Sequence, residues 1–373
     1  MTWKRIKSEG IRNLAPLELL PGKKTSFFTG ENGAGKTSIL EAVCLLSTGR
    51  SFRNSQNINF INEDQPFGYS YGEWKDDANS IQKFGVRRRR DKNIEIHKNG
   101  EKQRNLEQIN NCLALKVITP DVFSSLSGTS QQRRNLIDWS LFHVEHSFRQ
   151  QRMLYNRLLK QRNAILRRYK STPTDLKETT QELLYWDKEM SKQGSSLENQ
   201  RKRNVQQLQE GIDHLAAWPG TWPHKKQIKV KYLRGWPAEK KLEDHLKESF
   251  HKDLKRGFTQ YGPHRFDINL YLGKAKVTDV FSRGELKTLA VACQIIQIKQ
   301  LIDKGMAVVV LIDDLFAELD YDHASWCLEQ IHSLNKVQSF ITGVSIPEEI
   351  KAQYSLKGMR WFHVEHGKIH NSK

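Results

Sequence analysis

Cysteine is scarce in this chain, which contains four cysteines in 373 residues. Cys44, Cys112, Cys293 and Cys327 lie far apart, and no two of them form a Cys-x-x-Cys pair. This pattern argues against a disulfide framework and against a zinc site, and it favours a reducing compartment. We therefore expect a cytoplasmic protein.

The sequence also lacks long apolar runs. Its longest strongly apolar stretch, Met306 to Ile312, is much too short to cross a bilayer. The sequence after Met1 is mixed and polar and does not resemble a signal peptide. No lipidation motif or amphipathic anchor is recognisable, so we expect no membrane partner.

Acidic residues are in deficit. The chain has 42 Asp and Glu against 60 Lys and Arg, which gives a formal net charge of +18 and a sequence pI near 9.6. Such an excess attracts polyanions over long distances and favours nucleic acid as a partner. A basic surface without a nucleic-acid role is the alternative. At 43.4 kDa, the chain is long enough for two or three packed units.

Three regions differ in sequence pattern. Residues 1–125 alternate short apolar runs with turns, which predicts strands and one clear helix over 37–47. Residues 126–225 are rich in Gln, Arg, Lys, Glu and Leu with helical spacing, and they predict two long helices, the second over 176–211. Strand-like patterns return in residues 226–373. The sequence therefore predicts one α/β unit that is interrupted by a helical insertion.

A phosphate-binding loop is the clearest motif. Residues 30–37 match GxxxxGK[ST] and lie between an apolar strand and a helical repeat. The glycines let backbone N–H groups surround phosphate oxygens, while Lys36 is expected to reach the β- and γ-phosphates and Thr37 to ligate Mg²⁺. About one chain in a hundred of this length would carry the string by accident, as a Gly-rich turn before a helix. The strand–loop–helix context favours nucleotide binding. The expected nucleotide contacts are Gly30, Glu31, Asn32, Gly33, Ala34, Gly35, Lys36, Thr37 and Ser38.

An acidic pair follows the apolar run that ends at Ile312. This run is typical of a buried parallel strand, and the carboxyl end of such a strand is where open α/β sheets bind ligands. We expect Asp313 to hold Mg²⁺ through water and Asp314 to polarise the attacking water. The alternative is an Asp pair that caps the next helix. Lys36, Asp313 and Asp314 are therefore the predicted catalytic residues.

A third motif, Phe281-Ser282-Arg283-Gly284-Glu285, opens a predicted helix. In isolation, Ser282 would be an ordinary helix N-cap. Together with the phosphate loop and the acidic strand, the segment resembles the signature motif of the ATP-binding-cassette ATPases. The resemblance implies that Ser282 and Gly284 bind the γ-phosphate on another subunit's phosphate loop, and that Asp320 lies at the seam of this homodimer. ATP would hold the two subunits head to tail until hydrolysis releases them.

Further segments narrow this resemblance to the RecF family of bacterial recombination-repair ATPases, which is similar to the SMC-like ATPases. They are Ile11–Leu14 (IRNL), Gly33–Ala42 (GAGKTSILEA), Gly49–Arg53 (GRSFR), Arg133–Trp139 (RRNLIDW), Tyr261–Arg265 (YGPHR) and Leu311–Leu315 (LIDDL). Matches run in order from about residue 6 to 367. The resemblance implies an α/β fold in which a P-loop cassette-type ATPase lobe, residues 1–125 and 226–373, contains an inserted, mainly helical lobe, residues 126–225.

The same resemblance implies a function. It describes an ATP-dependent DNA-binding switch in recombinational repair and replication of gapped DNA, with weak ATP hydrolysis that DNA stimulates. ATP and Mg²⁺ are the implied cofactors, and double-stranded and gapped single-stranded DNA are the implied ligands. RecO and RecR would be its partners in loading RecA. Arg12 would lie near the nucleotide, although it is equally compatible with a surface arginine.

Two basic segments are candidates for DNA contact: a predicted hairpin over residues 87–104, which turns at Asn99-Gly100, and the basic helix near residues 152–168. Lysine and arginine contacts to phosphates carry affinity without sequence preference. A solvated charged face is the alternative for each residue. The main candidates are Arg87, Arg88, Arg89, Arg90, Lys102, Arg104, Arg157 and Lys160, and Arg152, Arg162, Arg167 and Arg168 extend the set.

Some positions depart from the cassette pattern. The signature has Phe281 where Leu is usual and Glu285 where Gln is commoner, and Asp314 stands where most cassette ATPases have Glu. The position expected for a switch histidine is Thr342, and no glutamine-loop residue is recognisable near Pro120. The shorter side chain of Asp314 is compatible with slow hydrolysis.

Two other functions compete with this interpretation. A transport ATPase subunit usually has a more compact insertion than the 246 residues that separate Lys36 from Ser282. A nuclease fused to an ATPase would need a paired-carboxylate metal cluster, which is not recognisable outside the nucleotide motifs. Both remain alternatives to the DNA-dependent switch.

Overall fold

A computed structural model describes residues 2–53, 59–91, 93–106, 109, 113–172, 176–215, 228–354 and 358–371. Cys112, Lys92 and the Trp- and Pro-rich link at 218–223 lie outside these ranges. The described chain folds into two compact units. The first contains residues 2–123 and 287–371, and the second contains 124–215 and 228–286.

A six-stranded, mainly parallel sheet forms the centre of the first unit, in the order β15-β14-β3-β13-β12-β8. Its strands are β3 (Thr25–Thr29), β8 (Leu113–Ile118), β12 (Ala307–Ile312), β13 (Val337–Gly343), β14 (Arg360–Glu365) and β15 (Lys368–Asn371). Strand β12 is buried along its whole length between its parallel neighbours β8 and β13. The prediction of a buried parallel strand before Asp313 is confirmed.

A second, antiparallel sheet in the same unit has the order β2-β1-β4-β5-β6-β7. Its strands are β1 (Thr2–Glu9), β2 (Leu17–Leu19), β4 (Phe67–Lys75), β5 (Ile81–Arg89), β6 (Ile94–Lys98) and β7 (Glu101–Gln103). Helix α1 (Lys36–Thr48) packs against strands of both sheets, and its apolar residues join one large core with theirs. The predicted helix over 37–47 and the predicted turn at Asn99-Gly100 are both confirmed.

The remaining described helices differ in length. They are α2 (Ser124–Ser127), α3 (Ser130–Val144), α4 (His146–Ser171), α5 (Leu176–His214), α6 (Leu242–Glu248), α7 (Phe250–Arg256), α8 (Val277–Val280), α9 (Arg283–Asp303), α10 (Leu315–Glu318), α11 (Tyr321–Ser333) and α12 (Glu348–Tyr354). The longest of them are α4, α5 and α9. None of the helices in the described ranges combines the length and hydropathy needed to cross a bilayer.

Helices α4 and α5 form the antiparallel pair that the sequence predicts. Arg168 contacts Glu182 at 2.5 Å near their junction, and Gln151 accepts a hydrogen bond from Ser196 at 2.8 Å at the other end. Between these contacts, fully buried Arg162 pairs with Asp187 at 2.6 Å and with Asp253 at 2.7 Å. The inclusion of Arg162 among the DNA-contact candidates is therefore wrong, because its guanidinium neutralises two buried carboxylates.

The segment Arg133–Trp139, which carried part of the family resemblance, helps to hold the second unit together. Arg133 binds Asp267 through two hydrogen bonds of 2.8 and 2.7 Å. Asp138 accepts two hydrogen bonds of 2.8 Å from Arg201, and both side chains are buried. These paired arginines link α3 to α5 and to the strand that begins at Asp267.

A three-stranded sheet also belongs to the second unit. It consists of β9 (Ile228–Leu233), β10 (Asp267–Leu272) and β11 (Ala275–Lys276). One face buries Ile228, Ile268 and Leu270, and β9 and β10 pack against α5 and α3. Residues 228–286 consequently cluster with the helices, whereas the sequence pattern assigned 226–286 to the ATPase lobe. The strand-like pattern of this segment belongs to a sheet that covers the helices.

Candidate functional site

The phosphate loop connects β3 to α1 in the first unit. Gly35 precedes the helix with φ 110°, a conformation that L side chains rarely adopt. The Lys36 ammonium is buried and donates hydrogen bonds to the carbonyl oxygens of Gly30 at 2.7 Å and Glu31 at 2.9 Å. The loop borders a cavity of about 510 Å³, which Asp314 also lines. The predicted phosphate-binding residues therefore surround one open cavity.

Thr37 and Asp313 meet at the end of β12, although 276 residues separate them in the chain. The Thr37 hydroxyl donates to Asp313 Oδ1 at 2.8 Å, and the Asp313 side chain is 4% exposed. A hydroxyl and a carboxylate beside a phosphate cradle form the ligand set that Mg²⁺ takes when nucleotide oxygens and water complete its shell. The two residues fit the predicted magnesium site. Within the described ranges, no group of three or more His, Cys, Asp or Glu side chains offers another metal site.

Thr342 lies at the end of β13, beside this pair. Its hydroxyl donates to Asp313 Oδ1 at 2.9 Å and accepts from the Asp314 backbone N–H at 2.9 Å. The residue is 1% exposed. Its hydroxyl thus orients both residues of the acidic pair, instead of reaching into the open cavity as a switch histidine would.

Asp314 begins α10 with φ 51° and ψ 49°, a left-handed conformation. This conformation is unfavourable for a residue with a Cβ, and it recurs at functional sites whose surroundings enforce it. The contact from Thr342 is one such constraint. Asp314 is half-buried and faces the phosphate-loop cavity, where the sequence predicts a carboxylate that polarises water.

Arg53 is a site residue that the sequence motifs did not identify. Its guanidinium donates to Thr37 Oγ1 at 3.0 Å and to Asp313 Oδ2 at 3.1 Å. It also lines the cavity, and its side chain is 47% exposed. The only sequence signal was its place at the end of the GRSFR segment. That segment contributed to the family resemblance, but no role was assigned to its residues. Arg53 places a second positive charge, besides Lys36, at the phosphate cradle.

Arg12 and Asn13 support the loop from the N-terminal side. Arg12 forms an ion pair with the fully buried carboxylate of Glu41, and hydrogen bonding to this carboxylate raises the pKa of the guanidinium. Asn13 donates to the Gly33 carbonyl at 2.9 Å and accepts from Ser38 Oγ at 3.0 Å. Both residues line the cavity. Arg12 therefore lies beside the phosphate-loop cavity, and its contact with a nucleotide stays a prediction, while Asn13 is a neighbour that the sequence did not single out.

The turn between β14 and β15 packs against the loop from the opposite end of the chain. The Gly367 N–H donates to the Ala34 carbonyl at 2.8 Å, and the Gly367 carbonyl accepts from Ala15 N–H at 3.1 Å. A second cavity of about 390 Å³ separates loop residues Glu31 to Ala34 from His363 to His366. The C-terminal hairpin thus fixes the position of both the phosphate loop and the segment after Arg12.

The signature segment forms the start of α9 in the second unit. Ser282 N–H donates to Glu285 Oε2 at 2.7 Å, and Ser282 Oγ accepts from Glu285 N–H at 3.3 Å. This reciprocal pair is a capping box, which explains how Glu285 serves where Gln is commoner. Ser282, Arg283 and Gly284 are exposed. The helix start therefore presents its hydroxyl and backbone to solvent.

Asp320 caps the next helix of the first unit, α11. Its carboxylate accepts from His323 N–H at 3.0 Å and contacts His323 Nδ1 at 2.5 Å. Partial burial opposes ionisation, but these hydrogen bonds lower the pKa of Asp320. The side chain remains 65% exposed. It is accessible to another molecule, as a residue at a dimer seam must be.

The candidate DNA-contact residues differ in their exposure and in whether they already pair within the protein. Arg87 and Arg89 both pair with Glu95, at 3.4 and 2.8 Å, and Arg90 donates to backbone carbonyls including that of Asn62 at 2.7 Å. Arg88 is half-buried. The exposed candidates are Arg90, Lys102, Arg104, Arg157 and Lys160, together with Arg167 and Arg168 of the extended set. Contact of any of these residues with DNA stays a prediction.

Comparisons with known proteins agree over the whole chain. The family model described as "RecF/RecN/SMC N terminal domain" matches residues 2–368. Proteins named "DNA replication and repair protein RecF" from Shewanella piezotolerans and Shewanella loihica are each 34% identical over 372 residues, 99% of both chains. The protein of that name from Vibrio atlanticus is 32% identical over 370 residues.

Two solved structures show the same fold. The ATP complex of RecF, described as a recombination mediator protein in the RecFOR pathway, superposes with a TM-score of 0.83 at 23% identity, covering 100% of this chain and 97% of that one. An SMC head bound to the C-terminal winged-helix domain of ScpA gives a TM-score of 0.58 at 14% identity, covering 100% and 98%. The mixed α/β, cassette-type ATPase fold is confirmed.

Proposed function

Because the chain belongs to the RecF family of ATPases, within the wider RecF/RecN/SMC group, we propose that it is an ATP-dependent DNA-binding switch in recombinational repair and replication of gapped DNA. ATP draws two copies together head to tail on double-stranded or gapped DNA, and hydrolysis releases them. RecO and RecR are the proposed partners in loading RecA, and the cytoplasm is the proposed compartment. The two alternative functions, a transport ATPase subunit and a nuclease, find no support in the names of the relatives.

The observation that carries this proposal is the exposure of Ser282, Arg283 and Gly284 at the start of α9. An exposed helix N-terminus that begins with a serine is suited to bind a phosphate group, because the helix dipole favours negative charge at this end. The phosphate loop lies in the other compact unit and borders its own open cavity. Exposure of the signature segment supports a nucleotide site that two subunits complete together.

Different residues of the first unit bind the phosphates, hold Mg²⁺ and promote hydrolysis of ATP. Backbone N–H groups of residues 30–38 and the Lys36 ammonium hold the phosphates. Thr37 and Asp313 would hold Mg²⁺, which neutralises phosphate charge when bound. Asp314 orients the attacking water and accepts its proton, and Thr342 positions both aspartates. The aspartate is one methylene shorter than the usual glutamate, which supports slow hydrolysis.

The test is a complementation of two inactive variants. Lys36→Met removes the phosphate-binding ammonium, and Ser282→Arg blocks the signature segment. Each variant alone should remain monomeric in sedimentation velocity with a non-hydrolysable ATP analogue and gapped duplex DNA, whereas the wild-type protein dimerises. A mixture of the two should recover dimers and ATP hydrolysis, because one heterodimer site combines an intact Lys36 with an intact Ser282.

Complementation distinguishes trans from cis completion of the site. If each chain completed its own site, mixing would restore nothing, since every chain carries one damaged motif. A wild-type protein that stays monomeric with saturating ATP analogue, Mg²⁺ and DNA would contradict the proposal outright. Lys299→Gln, a change at an exposed position of the same helix outside the signature segment, serves as the control for nonspecific surface effects.

A further inference from the structure

The positive charge of the chain is unevenly distributed between its regions. Residues 124–286 contain 31 Lys and Arg and 18 Asp and Glu, so they carry 13 of the 18 excess positive charges. This segment spans the second compact unit. The attraction of this protein for polyanions therefore comes mainly from the second unit, where the sequence-based candidates all lie on α4.

Within this unit, the three-stranded sheet has one apolar and one basic face. Along β9, Ile228 is buried while Lys229 and Lys231 are exposed, as expected when side chains alternate between faces. The strand register places Tyr271 opposite Lys229, and Lys276 opposite Tyr271. A row Lys229–Tyr271–Lys276 thus crosses all three strands. We call the surface formed by Lys229, Lys231, Asn269, Tyr271 and Lys276 the lysine sheet face.

The three lysines of this surface, Lys229, Lys231 and Lys276, are not neutralised by ion pairs within the described part of the chain. The one acidic residue on the three strands, Asp267, is bound by Arg133 at 2.7 Å. The hairpin of the first unit differs, because Glu95 pairs with both Arg87 and Arg89 there. The lysine sheet face consequently offers concentrated positive charge to an external anion.

The spacing of these lysines suits an extended polyanion. Residues two apart on a strand project about 7 Å apart, and neighbouring strands lie about 5 Å apart. Lys229 and Lys231 therefore form one step along the strand, and Lys276 adds a third charge two strands away. The Asn269 amide and the Tyr271 hydroxyl lie between them and can donate hydrogen bonds to phosphate oxygens. A flat, carboxylate-poor array of this kind favours a nucleic-acid backbone over a mixed-charge protein surface.

We propose that the lysine sheet face binds the sugar–phosphate backbone of DNA. The inference rests on the proposed DNA-binding function and identifies the surface that performs it. Lys276 precedes Ser282 by six residues, with one short helix, α8, between them. DNA held on this face thus lies close along the chain to the signature segment, which gives DNA a short route to affect the ATP-dependent dimer.

The experiment compares two triple variants of the full-length protein that have the same net charge. Lys229→Gln/Lys231→Gln/Lys276→Gln removes three charges from the lysine sheet face. Lys188→Gln/Lys192→Gln/Lys241→Gln removes three exposed lysines elsewhere in the same unit. Fluorescence anisotropy with a labelled gapped duplex, ATP analogue and a series of NaCl concentrations gives the affinity and its salt dependence for each.

The sheet-face variant should bind DNA at least about tenfold more weakly than wild type, and its log–log salt slope should fall by about 2.7, since each lost phosphate contact removes about 0.9. The control variant at Lys188, Lys192 and Lys241 should retain most of the DNA affinity and most of the salt slope. Circular dichroism and binding of a fluorescent ATP analogue confirm folding of both variants. Equal weakening of the two variants, or no weakening of either, overturns the assignment. A wild-type protein that fails to bind the gapped duplex would instead overturn the proposed function itself.

Discussion

Thr342 shows how a single hydroxyl organises the acidic end of the nucleotide site. It donates to Asp313 and accepts from the backbone of Asp314, and it is fully shielded from solvent. The hydrogen bond to Thr342 helps to hold the Asp314 backbone in its left-handed conformation. We therefore expect Thr342 to be a positioning residue, which acts on catalysis through the two aspartates.

We expect Thr342→Val to weaken Mg²⁺-dependent ATP binding by about tenfold, while Thr342→Ser stays near wild type. Losing the partner of a buried N–H also lowers stability by about 1–3 kcal/mol. Calorimetry with an ATP analogue in Mg²⁺ and in EDTA separates the two effects. Thr25→Val, which removes a buried hydroxyl that contacts Ser339 at 2.8 Å, is the matched control. Equal losses of ATP-analogue affinity with and without Mg²⁺ would show that Thr342 has only a structural role.

Lys116 is a buried cation on β8, where its ammonium donates to Gln297 at 3.0 Å. Burial lowers the pKa of Lys116 to about 7, whereas the ordinary value for a lysine is 10.5. Between these values the unfolded chain binds one more proton than the folded protein, so this residue makes stability rise with pH by at most about 1.4 kcal/mol per pH unit. Below pH 7, both states bind the proton and the full cost of burying the charge remains.

Lys116→Met should consequently be more stable than wild type at neutral and lower pH, and the difference should shrink as pH rises from 7 towards 10. Urea denaturation at several pH values measures both curves. Lys299→Met, at an exposed position of α9, controls for the change of side chain. Parallel curves for wild type and Lys116→Met would show that the buried ammonium does not titrate as expected.

At the scale of secondary-structure elements, the phosphate loop depends on a hairpin from the far end of the chain. The β14–β15 turn bonds to Ala34 and Ala15 through both backbone groups of Gly367. Gly367 has φ 74°, and a Cβ added to it would lie 2.0 Å from the Asn13 carbonyl oxygen. Only glycine fits this close approach, so the hairpin and loop form one structural element.

Gly367→Ala should therefore weaken ATP-analogue binding by about tenfold and lower stability by about 1–3 kcal/mol, because the turn must move away from Asn13. Calorimetry and thermal unfolding measure the two effects. Gly358→Ala is the control, since Gly358 has φ 75° but no atom of the described residues within 4 Å of the added Cβ. It should lose little more than the intrinsic strain of about 1 kcal/mol. Similar nucleotide affinities for the two variants would show that the hairpin does not support the loop.

Elements with a local signal were predictable from the sequence. Helix α1 and strand β12 follow from hydrophobic periodicity next to recognisable motifs, so Lys36, Thr37 and Asp313 lie where expected. Arg53 contacts Asp313 although 260 residues separate them in the sequence, and no pattern in either segment predicts that pairing. Its contact depends on tertiary packing, which a linear motif does not encode.

At the scale of the whole molecule, the boundary of the helical region was the main difference from expectation. Residues 228–286 have the alternating pattern of strands, which resembles the sequence of the ATPase lobe. Their apolar face, with Ile228 and Ile268, nevertheless packs on the helices of the second unit. Periodicity identifies a strand and its buried face, but it does not say which unit covers that face. The same alternation leaves Lys229 and Lys231 in solvent.

The position of β3 in its sheet has a consequence for folding during synthesis on the ribosome. This strand, which leads into the phosphate loop, pairs with β13 on one side and β14 on the other, and both come from the last tenth of the sequence. A nascent chain that stops before residue 337 leaves both edges of β3 without their partners. We therefore expect nucleotide affinity to arise only after residues 337–365 have been synthesised, and a polypeptide that terminates before residue 337 should not bind ATP.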